Sequence, residues 1–219
     1  MRQKEHGNIV VYLLIAVVLL GGLTFTMSKS NQGENTDSQL SQAKMETYIN
    51  QVLNYASSAD MVINEMLETV SPFQISFIEP SDSSFESEPP INMKKVFHPS
   101  GGGLNYMQIP EEIIDTSGGG AHQPGYYIRR SKIEWSPSSA DDITFTAYRI
   151  SKQTCEAINK ILTGSTDIPV GPNALSNQLI DKTYSLKSTD CADCVGKNAI
   201  CISNNAQTNW AFYKVLVSR

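Results

Sequence analysis

Residues 9–25 read IVVYLLIAVVLLGGLTF, an apolar run near the start of a 219-residue chain. No charged side chain occurs from residue 7 to residue 28. A helix rises about 1.5 Å per residue, so this uncharged stretch would extend roughly 33 Å. That length is enough to cross about 30 Å of bilayer hydrocarbon. A helix is the expected form because lipid offers no partners for bare backbone N–H and C=O groups. The run therefore predicts a single transmembrane helix over residues 8–28.

The charges on either side of this run indicate its orientation. Arg2 and Lys4 precede the run, and Lys29 follows it. Because the more positive short flank tends to stay in the cytoplasm, the head is expected outside the cytoplasm. Two alternatives are a buried helix of a soluble domain and a cleaved secretory signal. Residues 24–30 (TFTMSKS) lack the small-x-small pattern that signal cleavage requires.

A second helical segment is expected after a short polar linker at residues 29–37. Asp37 or Ser38 is a suitable residue to cap that helix. Over residues 38–71, apolar side chains recur at three- and four-residue spacing, which predicts an amphipathic helix. Pro72 is expected to end it. The apolar stripe packs either on the protein's own sheet or against a neighbouring subunit.

Residues 72–219 have the pattern of a β-rich head. Glycine and proline separate short apolar segments, which predict strands at residues 73–78, 94–98, 104–109, 126–135, 143–150, Ala199–Ser203 and Trp210–Val217. The last strand is apolar on much of both faces, so we expect it centrally in the sheet. A short helix is predicted over residues 152–162, with an inward face formed by Ala157, Ile158, Ile161 and Leu162. The predicted class is α+β, with the long N-terminal helix packed on a mostly antiparallel sheet.

The four cysteines are Cys155, Cys191, Cys194 and Cys201. An even number in an exported domain predicts two disulfides, and three pairings are open. A four-thiolate zinc site is the alternative, because Cys191 and Cys194 have ligand spacing. A thioredoxin-like pair is a further alternative, but no strand–motif–helix pattern surrounds these two cysteines.

Composition and motifs argue against several functional classes. The formal net charge of -5 argues against nucleic acid as a partner. The chain contains no G-x-S-x-G, P-loop, H-E-x-x-H or dinucleotide motif. We therefore predict no enzyme activity, no cofactor, no metal site and no identified small-molecule substrate. His98 and His122 are expected to be exposed in flexible glycine-rich turns. An enzyme would need them to converge with a residue such as Asp141.

One cluster of basic and aromatic side chains is a candidate partner surface. It is made of Tyr126, Tyr127, Arg129, Arg130, Lys132 and Trp135. Such a cluster could dock a partner or a sugar. The alternative is an ordinary edge strand, whose charges discourage aggregation.

The opening MRQKEHG followed by an apolar helix resembles the leader of type IV pilins and pseudopilins. This resemblance implies cleavage after Gly7, which leaves Asn8 as a methylated N-terminus. It also implies a disulfide-bounded C-terminal region and insertion in a bacterial inner membrane, with the head in the periplasm or outside the cell. Tyr12 stands where the family usually has glutamate, and Asn8 where it usually has phenylalanine. These departures are typical of a minor or divergent member.

Two functions follow as expectations. The first is a structural or assembly component of a pilus-like or type II secretion-like envelope apparatus, with pilin or pseudopilin subunits as partners. The alternative is a single-pass, membrane-anchored periplasmic binding domain that does not polymerise.

Overall fold

The computed structural model describes residues 36–87, 91–117 and 119–219. The predicted leader at residues 1–7, the predicted transmembrane helix at residues 8–28 and the processing residues Gly7 and Asn8 lie outside the described residues, as does most of the predicted linker at residues 29–37. None of the helices within the described residues combines the length and the hydropathy that a membrane span requires. Residues 47–219 form the compact unit that carries the sheet.

The long helix, α1, spans Thr36–Leu67. It ends four residues before the predicted end at residue 71. One face is buried, with buried side chains at Ile49, Val52, Tyr55, Ala56, Ala59, Ile63 and Met66. This spacing of three or four residues places them on one stripe of the helix.

The buried stripe of α1 packs on the protein's own sheet. The ring of Tyr55 lies 5.0 Å from that of Tyr126 and 5.8 Å from that of Phe145, measured between centroids. Asp60 on the same helix pairs with Lys214 of the sheet at 2.8 Å. The interpretation of the stripe as core is therefore confirmed for these residues.

The sheet has four antiparallel strands in the order β1-β2-β4-β3. The strands are β1 (Gly125–Ser131), β2 (Asp142–Ile150), β3 (Ala199–Ser203) and β4 (Trp210–Val217). The predicted α+β class with an antiparallel sheet and disulfides is confirmed. So is the central position of the last strand, which lies between β2 and β3.

Three predicted strands, at residues 73–78, 94–98 and 104–109, are absent from the described fold. Short 3-10 turns at Pro72–Gln74 and Asn92–Lys94 and irregular loops take their place. A lone parallel bridge joins Ser76 to Lys95. Most of the apolar side chains in these segments are still buried, whereas Phe73 is 63% exposed. The buried ones are Ile75, Phe77, Val96, Phe97, Leu104 and Ile109.

The first glycine triplet forms a tightly packed turn and not a flexible one. A Cβ on Gly101 would lie 2.2 Å from the carbonyl oxygen of Lys95, which is closer than atoms can approach. A Cβ on Gly102 would lie 2.6 Å from the side chain of Val62. Residues 98–103 are therefore pressed against α1 and against the backbone beside Lys95.

A second helix, α2, spans Lys152–Thr163. Ser151 caps its start by accepting a hydrogen bond from the backbone N–H of Thr154, and Gly164 ends it at a φ of 81°. The predicted inward face was partly wrong, since Ile161 is 56% exposed and Leu162 is 39% exposed. The buried face consists of Thr154, Cys155, Ile158 and Asn159. A third helix, α3 (Leu175–Leu179), was not predicted.

Candidate functional site

Two disulfides join Cys155 to Cys201 and Cys191 to Cys194. The first ties α2 to β3 across 46 residues of sequence, with a Cα–Cα distance of 5.4 Å. The second closes a short 3-10 turn, Ala192–Cys194. All four thiols are thus used in disulfides, so the alternative of a four-thiolate zinc site was wrong. No group of three His, Cys, Asp or Glu side chains able to hold a metal ion occurs among the described residues.

Asn159 of α2 covers the outer edge of the sheet beside this disulfide. Its amide donates from Nδ2 to the carbonyl oxygen of Cys201 at 2.8 Å, and its Oδ1 accepts from the N–H of Cys201 at 2.8 Å. These two bonds reproduce the contacts of a neighbouring strand. Because an uncovered edge invites pairing with another chain, Asn159 closes β3 to strand addition at this point.

The predicted basic–aromatic surface does not form one exposed patch. Side chains alternate along β1, so Tyr126 is buried at 4% exposure against α1 and the sheet. Burial raises the pKa of the Tyr126 phenol. Trp135 lies beyond the end of β1 and packs on the buried cluster around α3. Lys132 is exposed and Tyr127 is half-buried.

The two arginines of this cluster are half-buried and hold a loop. Arg130 donates from Nη2 to the carbonyl oxygens of Pro72 and Ile75, both at 2.8 Å. Arg129 pairs with Glu79 at 2.7 Å and donates to the carbonyl oxygen of Phe77 at 3.1 Å. Both guanidinium groups therefore fasten residues 72–79 to the edge of the sheet. The alternative of an edge strand is confirmed, since β1 is the first strand of the order.

The two histidines of the head have separate partners. His98 is buried at 8% exposure, so its predicted exposure was wrong, and its Nδ1 accepts from the N–H of Ser100 at 3.0 Å. His122 Nε2 lies 2.6 Å from a carboxylate oxygen of Asp181. Asp141 pairs instead with Lys182. Among the described contacts, no hydrogen bond or ion pair joins His98, His122 and Asp141 to one another.

A polar cleft lies beside α3, along the segment that leads to the disulfide turn. Its lining includes Gln178, Thr183, Tyr184, Ser185, Lys187 and Asp190, and it encloses about 480 Å³. Ligand sites in proteins commonly have volumes of roughly 300–1,000 Å³. We refer to this site as the Gln178 cleft.

The chain reverses direction at the first rim of the Gln178 cleft. Lys182 has a φ of 56°, a left-handed conformation that turns the backbone back over α3. The N–H groups of Thr183 and Tyr184 then donate to the carbonyl oxygen of Asn177, at 2.8 and 3.2 Å. This rim is thereby fixed to the helix that carries Gln178.

The second rim of the cleft is anchored to the segment that follows β1. The N–H of Leu186 donates to the carbonyl oxygen of Lys132 at 2.8 Å. The N–H of Glu134 donates to the carbonyl oxygen of Leu186 at 3.0 Å. The Glu134 carboxylate accepts from the hydroxyl of Ser188 at 2.6 Å and from its N–H at 2.5 Å. These bonds lower the pKa of Glu134, and the side-chain bond has the larger effect. The N–H of Cys191, a residue of the second disulfide, also donates to the carbonyl oxygen of Lys187 at 3.1 Å.

Gln178 is the unusual residue in this cleft. The residue is 7% exposed, and its Oε1 is buried without a hydrogen-bond partner among the described groups. Leu175 and Leu179, on the same short helix, are held in the buried cluster with Ile180, Leu186 and the second disulfide. Leaving a buried acceptor unpaired costs about 1–3 kcal/mol. The Gln178 amide therefore presents an acceptor beside the cleft that no described group satisfies.

A second cleft lies next to Arg129, and its two most strongly polar groups, Glu79 and Arg129, already bind each other. It encloses about 440 Å³ and is lined by residues that include Phe77, Glu79 and Arg129. Glu79 pairs with Arg129 and also accepts a hydrogen bond from the Tyr106 hydroxyl at 3.0 Å. Burial and this bond to Glu79 raise the pKa of Tyr106 to about 12. A ligand there would have to break existing bonds.

No sequence motif singled out α3 or the Gln178 cleft. The described residues define an α+β domain with an antiparallel sheet and two disulfides. Comparison with family models, with curated proteins and with solved structures finds no match for the chain.

Proposed function

We propose that this protein is a structural or assembly component of a pilus-like or type II secretion-like envelope apparatus, as a divergent minor pilin-like subunit. The observation that carries the proposal is the order of segments in the sequence. A short basic opening that ends in Gly7 precedes the uncharged residues 7–28, and the helix Thr36–Leu67 follows.

The described head is compatible with that role. Residues of α1 from Ile49 onward pack on an antiparallel sheet. The head contains the Cys155–Cys201 disulfide, and such bonds persist in oxidising compartments outside the cytoplasm. The side of α1 away from the sheet includes Met61, which is 71% exposed and available to a neighbouring subunit. In the proposal, residues 8–28 anchor the chain in the inner membrane and the head lies on its outer side.

The proposal predicts that polar substitutions in the apolar run abolish assembly. The double substitution Leu14→Lys and Val17→Asp places two charges at the centre of the predicted membrane helix, where each costs about 2.5–3.5 kcal/mol. We expect at least a tenfold loss from the membrane and from the sheared filament fraction, measured by quantitative immunoblotting. The matched control, Leu14→Ile with Val17→Ile, should behave as the wild type.

Two outcomes would count against this proposal. One is assembly of the charged variant at the wild-type level. The other is wild-type protein that stays in the membrane and never co-fractionates with filament or secretion-complex subunits. The second outcome would favour the anchored binding domain.

A further inference from the structure

The Gln178 cleft is built as a binding site whose ligand would satisfy a buried amide. Gln178 Oε1 lies beneath the surface of the cleft without a partner. The terminal torsion of glutamine is broad, so rotation about it turns the oxygen toward the cleft. A ligand hydroxyl that donates to this oxygen would remove the cost of leaving it unpaired.

The charges around the cleft favour a neutral ligand. Lys187 and Asp190 place one positive and one negative side chain on the same lining. An anion or a cation would therefore meet attraction and repulsion of similar size. The other polar groups are the Gln178 amide, the Tyr184 phenol and the hydroxyls of Thr183, Ser185 and Thr189, which both donate and accept hydrogen bonds.

An exposed aromatic ring completes the lining. Tyr184 is 60% exposed although it belongs to an ordered turn with its N–H bonded to Asn177. An exposed ring of this kind offers a flat apolar face with a polar tip. Pyranose sugars present the matching surfaces, because one face of the ring carries C–H groups and the edge carries hydroxyls.

We propose that the Gln178 cleft binds a neutral carbohydrate, with a pyranose ring stacked on Tyr184 and a hydroxyl that donates to Gln178. The two backbone anchors and the Cys191–Cys194 disulfide hold the rims in place before binding, which reduces the ordering cost of association. This site is independent of whether the protein polymerises.

The test is saturation-transfer difference NMR on the full-length chain in a detergent without sugar headgroups. The probes are the methyl glycosides of glucose, galactose, mannose and N-acetylglucosamine at millimolar concentration. We expect saturable transfer to at least one of them. The affinity should fall at least tenfold in Gln178→Leu and in Tyr184→Ala, and a tenfold change corresponds to about 1.4 kcal/mol.

Controls separate binding from folding. Gln51→Leu changes a glutamine in a different cleft, on α1, and should leave sugar binding unchanged. Gln178→Leu should keep or raise the thermal midpoint, measured by circular dichroism, because it removes an unpartnered buried oxygen.

Four results would overturn the proposal. They are no saturation transfer to any of the four glycosides, wild-type affinity in Gln178→Leu, a thermal midpoint lowered by several degrees in that variant, and displacement of a bound glycoside by millimolar inorganic phosphate. The last would make the cleft an anion site.

Discussion

Replacing Cys155 and Cys201 together by alanine is expected to lower the free energy of unfolding by about 4 kcal/mol. The disulfide joins residues 46 apart in sequence, so its removal frees a large loop in the unfolded chain. The substitution also removes the covalent link between α2 and β3, while the two hydrogen bonds between the Asn159 amide and the backbone of Cys201 remain. Urea unfolding of the full-length oxidised chain, followed by circular dichroism, measures the change.

The second disulfide provides a matched control for this effect. Cys191 and Cys194 are only 3 positions apart in the sequence, and the same chain-entropy relation gives about 1.5 kcal/mol for so short a loop. The Cys191→Ala/Cys194→Ala variant should therefore lose much less stability than the first pair. Equal losses for the two variants, or no loss for Cys155→Ala/Cys201→Ala, would contradict this account of the fold.

The second large loss of stability is expected on substitution of Lys95, which is fully buried. Its Nζ lies within hydrogen-bonding distance of four neutral oxygens. The acceptors are the carbonyl oxygens of Ser84 at 3.2 Å, Phe85 at 2.5 Å and Ser87 at 2.7 Å, and Oδ1 of Asn92 at 2.8 Å. The Lys95 side chain therefore holds residues 84–87 and Asn92 together through these hydrogen bonds.

The Lys95→Met substitution keeps the length of the side chain and removes the donor. The carbonyl oxygens that Nζ bound would lose their partner, and we expect a loss of about 3 kcal/mol in the free energy of unfolding. We also expect cleavage by a glutamate-specific protease at Glu86 to become at least tenfold faster, since the loop would lose its central anchor.

Lys94→Met is the control for Lys95→Met. Lys94 is the neighbouring residue and is half-buried, so its substitution should change stability by less than about 0.5 kcal/mol. If the two variants unfold at the same urea concentration and are cleaved at Glu86 at the same rate, the hydrogen bonds of Lys95 Nζ do not hold the loop.

The parts of the fold that could be predicted from sequence are those set by local patterns. Trp210–Val217 and Ala199–Ser203 were predicted with their observed bounds, because alternation and flanking turns mark strands directly. Residues 152–162 match α2 to within one residue, since Ser151 and Gly164 are a standard cap and stop.

The incorrect predictions concern positions set by contacts distant in sequence. Residues 73–78 and 94–98 contain apolar residues typical of strands, yet they pack as coil around Lys95 and the glycine turn. A lysine normally signals exposure, so its burial could not be predicted before the loop was placed around it. The arginines of β1 were predicted as a surface because alternation does not reveal which loop crosses the edge of a sheet.

The Gln178 cleft could not be predicted for a similar reason. Its rims are brought together by pairing with residues 132–134 and by the second disulfide. The sequence of α3 shows no distinctive motif. Only the structure reveals that a glutamine there is buried without a partner for its oxygen.

The most direct test of the pilin-like proposal is the intact mass of the mature protein, purified from its native membrane and measured before and after reduction with alkylation. The proposal predicts a chain that begins at Asn8 with an N-methyl group, and four cysteines that are alkylated only after reduction. A mature chain that retains residues 1–7, in a cell that contains the prepilin peptidase, would contradict it.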